Sequence, residues 1–590
     1  MTRIVDTTVR LLSQQPLAGN ASTATVLEVA EILDGAGFAG LEVSGGGCFD
    51  AAVRRGVESP WDRIRALKAR CTRTPLQIAV RGRFLVGSRP VSDDLVRRFI
   101  LSAAESGIDV FRLHDPMNDV ENLAPAAAAV REAGGRLYGG LAFSGQMGNL
   151  ERVVEKARRL ADLGADRVLL HDSAGALDPG VCGTVIERLA DAAGVPAGLY
   201  CQGTGGKALA MAVEAARHGA DPIAVAAYPV ASLLNRVAAE VLGESLSSLE
   251  VEHGVDVERM WDASRFIDAH VTSKMPALPV PPRIILRTAI TRLPVGLVAE
   301  IDARLRSADA LDRLDEVLTE LNAVRADCGT APLAAPIGGI LAGQAVTHVL
   351  TAQRWVEVSD EMRALLSGAY GEPPLPFAPE AAAHATEMPT EADVDMDDLR
   401  SQARGVGSEE DLLLLALFGD DAARLLANLR GRGQAEQPGD AVDHTQSARI
   451  RELIRMVEGS DKVGELTIEE GPVRITVRKQ DEHPPAPIAV MPAGAGPAPV
   501  DGPPHEPEVS SAIRLESPMV GTFYRSPGPS EPPFVQEGDS VEVGQVLCVL
   551  EAMKLFNEFK SEHAGTIRAV LAGNAEPVEY GQPLFELEPA

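Results

Sequence analysis

Short apolar runs alternate with amphipathic stretches along about the first 240 residues, and this alternation predicts β-strands separated by α-helices. The runs with the length and apolar character of buried strands are residues 4–5, 40–43, 76–80, 110–113, 136–141, 167–170, 197–200 and 222–225. Successive strand–helix units of this kind are typical of a closed (β/α)8 barrel, in which the carboxyl ends of the strands surround the binding site. We therefore predict an α/β fold that begins with a TIM barrel.

The pattern changes after the barrel and divides the chain into further parts. Residues from about 285 to 378 have a mostly helical pattern, and Ser408 followed by three acidic residues marks the start of another helix. A Pro- and Ala-rich stretch with few large apolar residues predicts an extended linker. The predicted parts are the barrel at 1–290, its helical extension at 291–430, a helix-and-strand segment at 448–482, the linker at 483–510 and a small all-β domain at 511–590.

The all-β domain contains an internal repeat. Residues 541–551 and 578–588 carry apolar residues at matching places, with Gly-Gln in the same register. Two similar β-rich halves predict a flattened barrel-sandwich with quasi-twofold symmetry. The first half runs into the tetrapeptide 551–554, so Lys554 is predicted to lie at a hairpin tip.

This domain resembles the biotinyl domain of biotin-dependent carboxylases, because the tetrapeptide matches that family's attachment motif. The motif residues are Glu551, Ala552, Met553 and Lys554. The resemblance implies that a biotin protein ligase joins biotin to Lys554 through an amide, which removes the ammonium charge and leaves a long tether. The alternative is a charged residue in an ordinary, unmodified hairpin.

A narrower resemblance is to the carrier protein of bacterial acetyl-CoA carboxylase. Residues 517–527, with the Pro-rich insert that continues to Pro533, look like the protruding thumb loop of that carrier. Residues 448–479 are similar to its opening helix and strand. The resemblance implies a biotin carboxyl carrier that works with separate biotin carboxylase and acyl-CoA carboxyltransferase subunits, as in the conversion of acetyl-CoA to malonyl-CoA for fatty acid biosynthesis.

The front part resembles a different family, the carboxyltransferase domain of pyruvate carboxylase, the oxaloacetate decarboxylase alpha subunit and transcarboxylase. The similarity covers roughly residues 3 to 430. The matching stretches are 36–43, 59–63, 75–77, 81–82, 107–112 and 310–317. In that family the barrel mouth holds a divalent metal ion, and a hydroxyl side chain passes a proton between biotin and the substrate.

This chain departs from the family pattern at the metal ligands. The four ligand positions fall on Leu11, His171, Tyr200 and Gln202. A leucine cannot bind a hard or borderline cation, so the changes predict that the family's metal site is absent. The position of the proton-passing hydroxyl is Ala299, which has no proton to give. Both changes predict a catalytically degenerate barrel.

Some family positions that contact the 2-oxo acid are retained. They are Arg10, Gln14 and Arg81. Guanidinium groups at the mouth are suited to hold a carboxylate, but ion pairs with neighbouring acids are the more common arrangement. The acids in question are Asp6, Glu42 and Asp172.

Two strand ends carry residues that are candidates for a rebuilt metal or acid–base site. They are His114 and Asp115 after one strand and His171 and Asp172 after another. Imidazole at strand ends suits either role, but buried histidines satisfied by their neighbours are the more common case.

Composition narrows the classes of partner that the chain can bind and the compartment in which it works. The 590 residues carry a formal net charge of −29, which argues against nucleic acid or an anionic membrane surface as a partner. The six cysteines form no Cys-x-x-Cys pair, which favours a reducing compartment over a disulfide framework or a zinc site. No signal peptide or run of membrane-spanning length is apparent, so we expect a cytoplasmic protein.

Three hypotheses follow. In the first, the chain is the biotin carrier of a multisubunit acyl-CoA carboxylase, and the barrel is a scaffold or a dimerisation module through which the chain forms a homo-oligomer. In the second, the barrel is an active carboxyltransferase for 2-oxo acids with a rebuilt site. In the third, the whole chain is an assembly scaffold with an unmodified Lys554.

Overall fold

A closed barrel of eight parallel strands forms the front of the chain in the computed structural model. The strands are β1 Ile4–Asp6, β2 Gly40–Gly45, β3 Leu76–Val80, β4 Val110–His114, β5 Arg136–Phe143, β6 Arg167–Asp172, β7 Ala197–Cys201 and β8 Ile223–Val225. They pair in chain order, and β1 closes the barrel by pairing with β8. The predicted TIM barrel is confirmed.

The structure describes residues 1–386 apart from 88, 144, 146–149 and 276–279, and then 396, 399–400, 408–435, 465–470, 473–478, 513–517, 521–526, 533–552, 555–561, 563–574, 576–578 and 582–589. These residues fall into two units, Met1–Gln446 and Ser447–Ala590, each with its own hydrophobic core.

Helices cover the outside of the barrel and bury their apolar faces against the strands. They are α1 Thr8–Leu12, α2 Thr23–Asp34, α3 Gly46–Arg55, α4 Pro60–Arg70, α5 Asp93–Glu105, α6 Ala124–Glu132, α7 Leu150–Asp162, α8 Pro179–Ala193, α9 Lys207–Arg217, α10 Tyr228–Leu234, α11 Ala239–Ser248 and α12 Val257–His270. The starts of α2 and α5 follow from N-cap serines, because Ser22 and Ser92 accept hydrogen bonds from the backbone N–H groups of Thr25 and Leu95. Among helices within the described ranges, none is both long and apolar enough to cross a bilayer.

A helical extension with its own core follows the barrel. Its helices are α13 Pro282–Thr291, α14 Val295–Ser307, α15 Leu314–Asp327, α16 Ile337–Thr351, α17 Asp360–Leu366 and α18 Pro379–Ala382. The Phe84 ring, from the loop after β3, stacks on the Tyr370 ring with centroids 5.4 Å apart. Met117, from the loop after β4, joins the same core. The extension therefore packs on the carboxyl-end side of the barrel, where the site is expected.

Two more helices return to the outside of the barrel. They are α19 Glu409–Phe418 and α20 Asp420–Ala435. Ser408 accepts a hydrogen bond from the backbone N–H of Asp411, which confirms the predicted helix start. Leu412 and Leu425 are buried in the barrel's outer core, and Glu409 pairs with Arg98 of α5 at 2.7 Å.

Every element that the structure describes in the second unit is a β-strand. The hairpin strands are β9 Glu465–Glu470 and β10 Val473–Arg478, and the remaining strands are β11 Ile513–Glu516, β12 Gly521–Tyr524, β13 Ser540–Val541, β14 Val546–Ala552, β15 Leu555–Lys560, β16 Gly565–Val570, β17 Glu576–Val578 and β18 Pro583–Pro589. Strands β9 and β10 pair with each other, and the other eight strands form two four-stranded sheets, β11-β18-β16-β13 and β15-β14-β12-β17. The repeat copies thus place β14 in one sheet and β18 in the other, as expected of quasi-twofold symmetry.

Several predicted features lie outside the described residues. They are the helix expected after residue 448, the linker at 483–510, and most of the Pro-rich insert that precedes Pro533.

Candidate functional site

Glu42, on β2, lies at the centre of a buried polar cluster inside the barrel mouth. Its carboxylate pairs with Arg10 Nε at 2.6 Å and accepts a hydrogen bond from Arg112 Nε at 2.7 Å. Gln77 Nε2 donates to the same carboxylate at 3.0 Å. Arg10 comes from α1, which directly follows β1, and Gln77 and Arg112 come from β3 and β4, so parallel pairing of neighbouring strands assembles the group. We call these four residues the Glu42 cluster.

The charge state of Glu42 follows from its neighbours. Burial by itself raises the pKa of this carboxyl, but the positive charges of Arg10 and Arg112 outweigh burial and lower the pKa to about 2. Glu42 is therefore ionised at neutral pH. Asp6 differs, because burial raises its pKa to about 7 while its oxygens accept bonds from Thr8.

Two histidines and a tyrosine line the same space. The Arg112 guanidinium lies 4.7 Å from the centroid of the Tyr200 ring, and Tyr200 accepts a hydrogen bond from Gln77 at 2.9 Å. The His171 ring is 6.3 Å from the Tyr200 ring and 6.4 Å from the His114 ring, in both cases edge to face. The structure thus brings the two predicted histidines together beside the Glu42 cluster.

Both histidines are neutral at physiological pH. Burial, and then the charge of Arg112, lower the pKa of His171 to about 3 and that of His114 well below its ordinary value. His114 Nδ1 is buried and has no hydrogen-bond partner among the described residues. Neither imidazole has a pKa suited to a general base near pH 7.

The two candidate aspartates hold loops in place. Asp115 accepts hydrogen bonds from the backbone N–H groups of Met117 and Asp119, both at 2.8 Å. The Asp172 carboxylate accepts backbone bonds from Ala174, Ala176 and Leu177. Their oxygens are committed to turns after β4 and β6.

The remaining candidates lie at the edge of the mouth. Arg81 Nη2 donates to the carbonyl oxygens of Val86 and Gly87, both at 2.8 Å, and Arg81 pairs with no carboxylate among the described residues. Burial lowers the pKa of Arg81 to about 10. Gln14 lies against Gly47 at the start of α3.

The residues present do not fit the divalent metal ion that the fold family implies. Leu11 is buried in the hydrocarbon core, and Tyr200 presents its ring to Arg112. Within the described ranges, no group of three or more His, Cys, Asp or Glu side chains is placed to hold a metal ion. His114 and His171 would supply two ligands, which is fewer than such a site needs.

Sequence reasoning missed part of this site. Arg112 and Gln77 lie inside runs that read as buried strands, and the signal that could have identified them is a charged or amide side chain in the middle of such a run. Arg236 also belongs to the mouth. It follows the end of a helix, where arginine is common, so the sequence pattern does not single it out.

The attachment hairpin is the second candidate site. Strands β14 and β15 pair as an antiparallel hairpin up to Ala552 and Leu555, and Met553 and Lys554 separate these two residues in the sequence. Glu551 and Ala552 belong to β14, whereas Met553 and Lys554 lie outside the described residues.

A carboxyltransferase-type barrel and a biotinyl domain in one chain define the subunit class of a biotin-dependent carboxylase. The chain matches the models of three families, described as HMGL-like over residues 1–267, conserved carboxylase domain over 289–471 and biotin-requiring enzyme over 513–587. It is 30% identical over 578 residues to a pyruvate carboxylase subunit of Methanocaldococcus jannaschii, covering 94% of each chain. The chain belongs to this family of pyruvate carboxylase subunits.

Two further comparisons concern single domains. The carboxyl transferase domain of Rhizobium etli pyruvate carboxylase, solved with pyruvate, matches with a TM-score of 0.65 at 22% identity, covering 72% of this chain and 77% of that one. The biotin carboxyl carrier protein of acetyl-CoA carboxylase 1, chloroplastic, from Arabidopsis thaliana is 54% identical over 80 residues, which is 14% of this chain and 29% of the carrier.

These findings confirm part of the sequence interpretation. The fusion of a carboxyltransferase barrel with a biotinyl domain is confirmed, and biotin is the covalent cofactor of this chain. For the chain as a whole they favour the second hypothesis, a 2-oxo acid carboxyltransferase, over an acetyl-CoA carboxylase carrier. Catalytic degeneracy of the barrel and biotin at Lys554 stay predictions.

Proposed function

We propose that this chain carries biotin on Lys554 and that its barrel transfers a carboxyl group to a small 2-oxo acid, in partnership with a separate biotin carboxylase subunit. The observation that supports this most is the charge of the barrel mouth. The guanidinium groups of Arg10, Arg112 and Arg236 all act on the one carboxylate of Glu42. The similarity to a pyruvate carboxylase subunit over 94% of the chain supports the same class of acceptor.

The excess positive charge favours an anionic acceptor. Both histidines are neutral, and Arg81 adds a further cation that has no carboxylate partner among the described residues. Buried positive charge is costly unless a counter-charge offsets it, and an acceptor carboxylate would provide that charge. The forked guanidinium also matches the planar geometry of a carboxylate.

The residues at the mouth have separable roles in this proposal. Glu42 fixes the side chains of Arg10 and Arg112, and the arginines hold the acceptor carboxylate. Biotin, when attached, supplies the activated carboxyl group.

A second candidate function is carrier service to a separate acyl-CoA carboxyltransferase. The observation in its favour is the 54% identity over 80 residues between the biotinyl region and the acetyl-CoA carboxylase carrier. In that case the barrel would act as scaffold.

An acceptor assay separates the two functions. The biotinylated chain would be combined with its biotin carboxylase, ATP and labelled bicarbonate, and then offered pyruvate, 2-oxoglutarate or acetyl-CoA. We expect label in a 2-oxo acid product without any added subunit. The substitution Arg81→Ala should lower this transfer roughly 30-fold or more, because it removes a charged contact to the acceptor.

The matched control is Arg83→Ala, two residues away, whose partner Asp93 is mostly exposed. This variant should transfer label normally. Label that reaches only acetyl-CoA, and only after an acyl-CoA carboxyltransferase is added, would support the second function instead.

A further inference from the structure

Arg236 is a cation at the barrel mouth whose charge helps to lower the pKa of Glu42, although no hydrogen bond or ion pair joins the two residues in the described part of the chain. It follows α10, and its backbone pairs with that of Gln202 just beyond the end of β7. The Arg236 Nε is buried, and among the residues that the structure describes it has no hydrogen-bond partner and its guanidinium makes no ion pair. The Arg236 Nε therefore lacks the hydrogen-bond partner that buried polar atoms normally have.

The surroundings of Arg236 disfavour its positive charge. Burial, and then the charge of Arg10, lower the pKa of Arg236 to about 9, and Glu42 opposes them only in part. The neighbouring Asn235 Nδ2 is also buried with no partner in the described part of the chain, as is His114 Nδ1. Three such nitrogen atoms therefore lie on residues at the same end of the barrel, and each can donate a hydrogen bond.

Arg236 lies close to two of the altered metal-ligand positions. Its backbone bridges Gln202, and its charge contributes to the lowered pKa of His171. Both residues stand where the family resemblance places metal ligands. A positive side chain has thus been brought next to the place where the donor set no longer suits a metal ion.

We infer that Arg236, assisted by Asn235, binds the negatively charged oxygens of a 2-oxo acid and so supplies the positive charge that relatives obtain from a metal ion. The inference rests on the proposed function, since it names a ligand-binding residue of the same site. The ligand class is a carboxylate with an adjacent carbonyl, because two neighbouring oxygens match a forked donor. Binding at this site requires no metal.

Binding measured without turnover tests this inference. The full-length chain would be titrated calorimetrically with pyruvate and with 2-oxoglutarate, before and after dialysis against a metal chelator. We expect the affinity to change by less than about 2-fold on chelation. Arg236→Met should weaken binding roughly 10- to 100-fold, the loss of one charge-assisted contact, and Arg236→Lys should recover part of the loss by keeping the charge.

Thermal unfolding of the ligand-free protein separates this role from a structural one. Because Arg236 has no partner in the described structure, Arg236→Met should leave the melting temperature unchanged or raise it, whereas a structural arginine would lower it. Arg292→Met is the control, since Arg292 is an exposed cation near the loop after β6. It should affect neither binding nor melting.

Several outcomes would overturn the inference. They are loss of binding on chelation with recovery on adding Mn²⁺ or Zn²⁺, unchanged binding in Arg236→Met, and no binding of either 2-oxo acid to the unmutated chain. The acceptor assay distinguishes this failure from failure of the proposed function. Binding that depends on Arg236 without carboxyl transfer would refute the proposed function alone, whereas transfer unaffected by Arg236→Met would refute this inference alone.

Discussion

Glu42 shows how one buried residue organises a site whose other members are far apart in sequence. Arg10 and Arg112 lie on different strand–helix units, and each reaches the same carboxylate. The sequence identified Glu42 as a partner for the retained arginines, and the pair with Arg10 is present. It could not show that Arg112 pairs with the same carboxylate or that the charge of Arg236 acts on it, because side-chain direction and strand register are tertiary properties.

The substitution Glu42→Gln should destabilise the barrel. It leaves buried guanidinium groups without their counter-charge, so we expect the free energy of unfolding at pH 7 to fall by about 3–5 kcal/mol. Urea unfolding measures this value, and Glu252→Gln, at an exposed position, is the control.

The lowered pKa of Glu42 predicts that the stability difference between Glu42→Gln and the unmutated protein depends on pH. The pKa of Glu42 is lowered from its ordinary 4.5 to about 2, so its stabilising effect is complete above about pH 4.5 and is lost as the pH falls towards 2. The stability difference between the variant and the unmutated protein should therefore narrow below about pH 4.5. A difference that stays constant down to pH 3 would contradict this account.

At the level of strands and loops, the barrel strands were predictable and the roles of loop residues were not. Apolar runs identify parallel strands because these strands are buried on both faces. His114-Asp115 and His171-Asp172 both follow strands and look alike in sequence, yet the aspartates bind backbone N–H groups of their own loops while the imidazoles face the mouth. A strand-end aspartate suits both catalysis and turn formation, and only the loop conformation decides between them.

The hairpin of β14 and β15 predicts the site of biotin attachment. Coexpression with a biotin ligase should add one biotin to the chain, and Lys554→Arg should abolish the adduct, because Lys554 is the lysine of the attachment motif Glu551-Ala552-Met553-Lys554. Intact-mass measurement detects the change. Lys560→Arg, an exposed lysine at the far end of β15, should still be modified. Biotin found on the Lys554→Arg variant would show that biotin is attached at another residue.

At the scale of the whole molecule, separate cores indicate separate folding. The barrel core and the core of the second unit share no residues, and the latter is built around Phe523 and Phe585, whose rings are 5.8 Å apart. Composition alone predicted a boundary between them, because a Pro- and Ala-rich stretch cannot bury enough apolar surface to fold. The acceptor of the carboxyl group could not be predicted from the sequence alone. The biotinyl domain resembles the carrier of acetyl-CoA carboxylase, whereas the barrel resembles the carboxyltransferase domain of pyruvate carboxylase.

Residues 447–590 expressed alone should therefore fold and accept biotin as the full chain does. The physical reason is that the hairpin and its supporting sheets lie within one unit and one core. Streptavidin capture of the purified fragment measures the modified fraction, and the fragment with Lys554→Arg is the control. A fragment that unfolds, or that the ligase ignores, would show that the barrel unit is needed.

The six cysteines have a practical consequence for watching this protein work. All six are buried, and burial raises the pKa of each thiol, so the reactive thiolate is scarce at neutral pH. A maleimide dye should therefore label an engineered surface cysteine almost alone. One dye on the biotinyl domain and another on the barrel would let single-molecule fluorescence follow the carrier between visits, with no native cysteine removed.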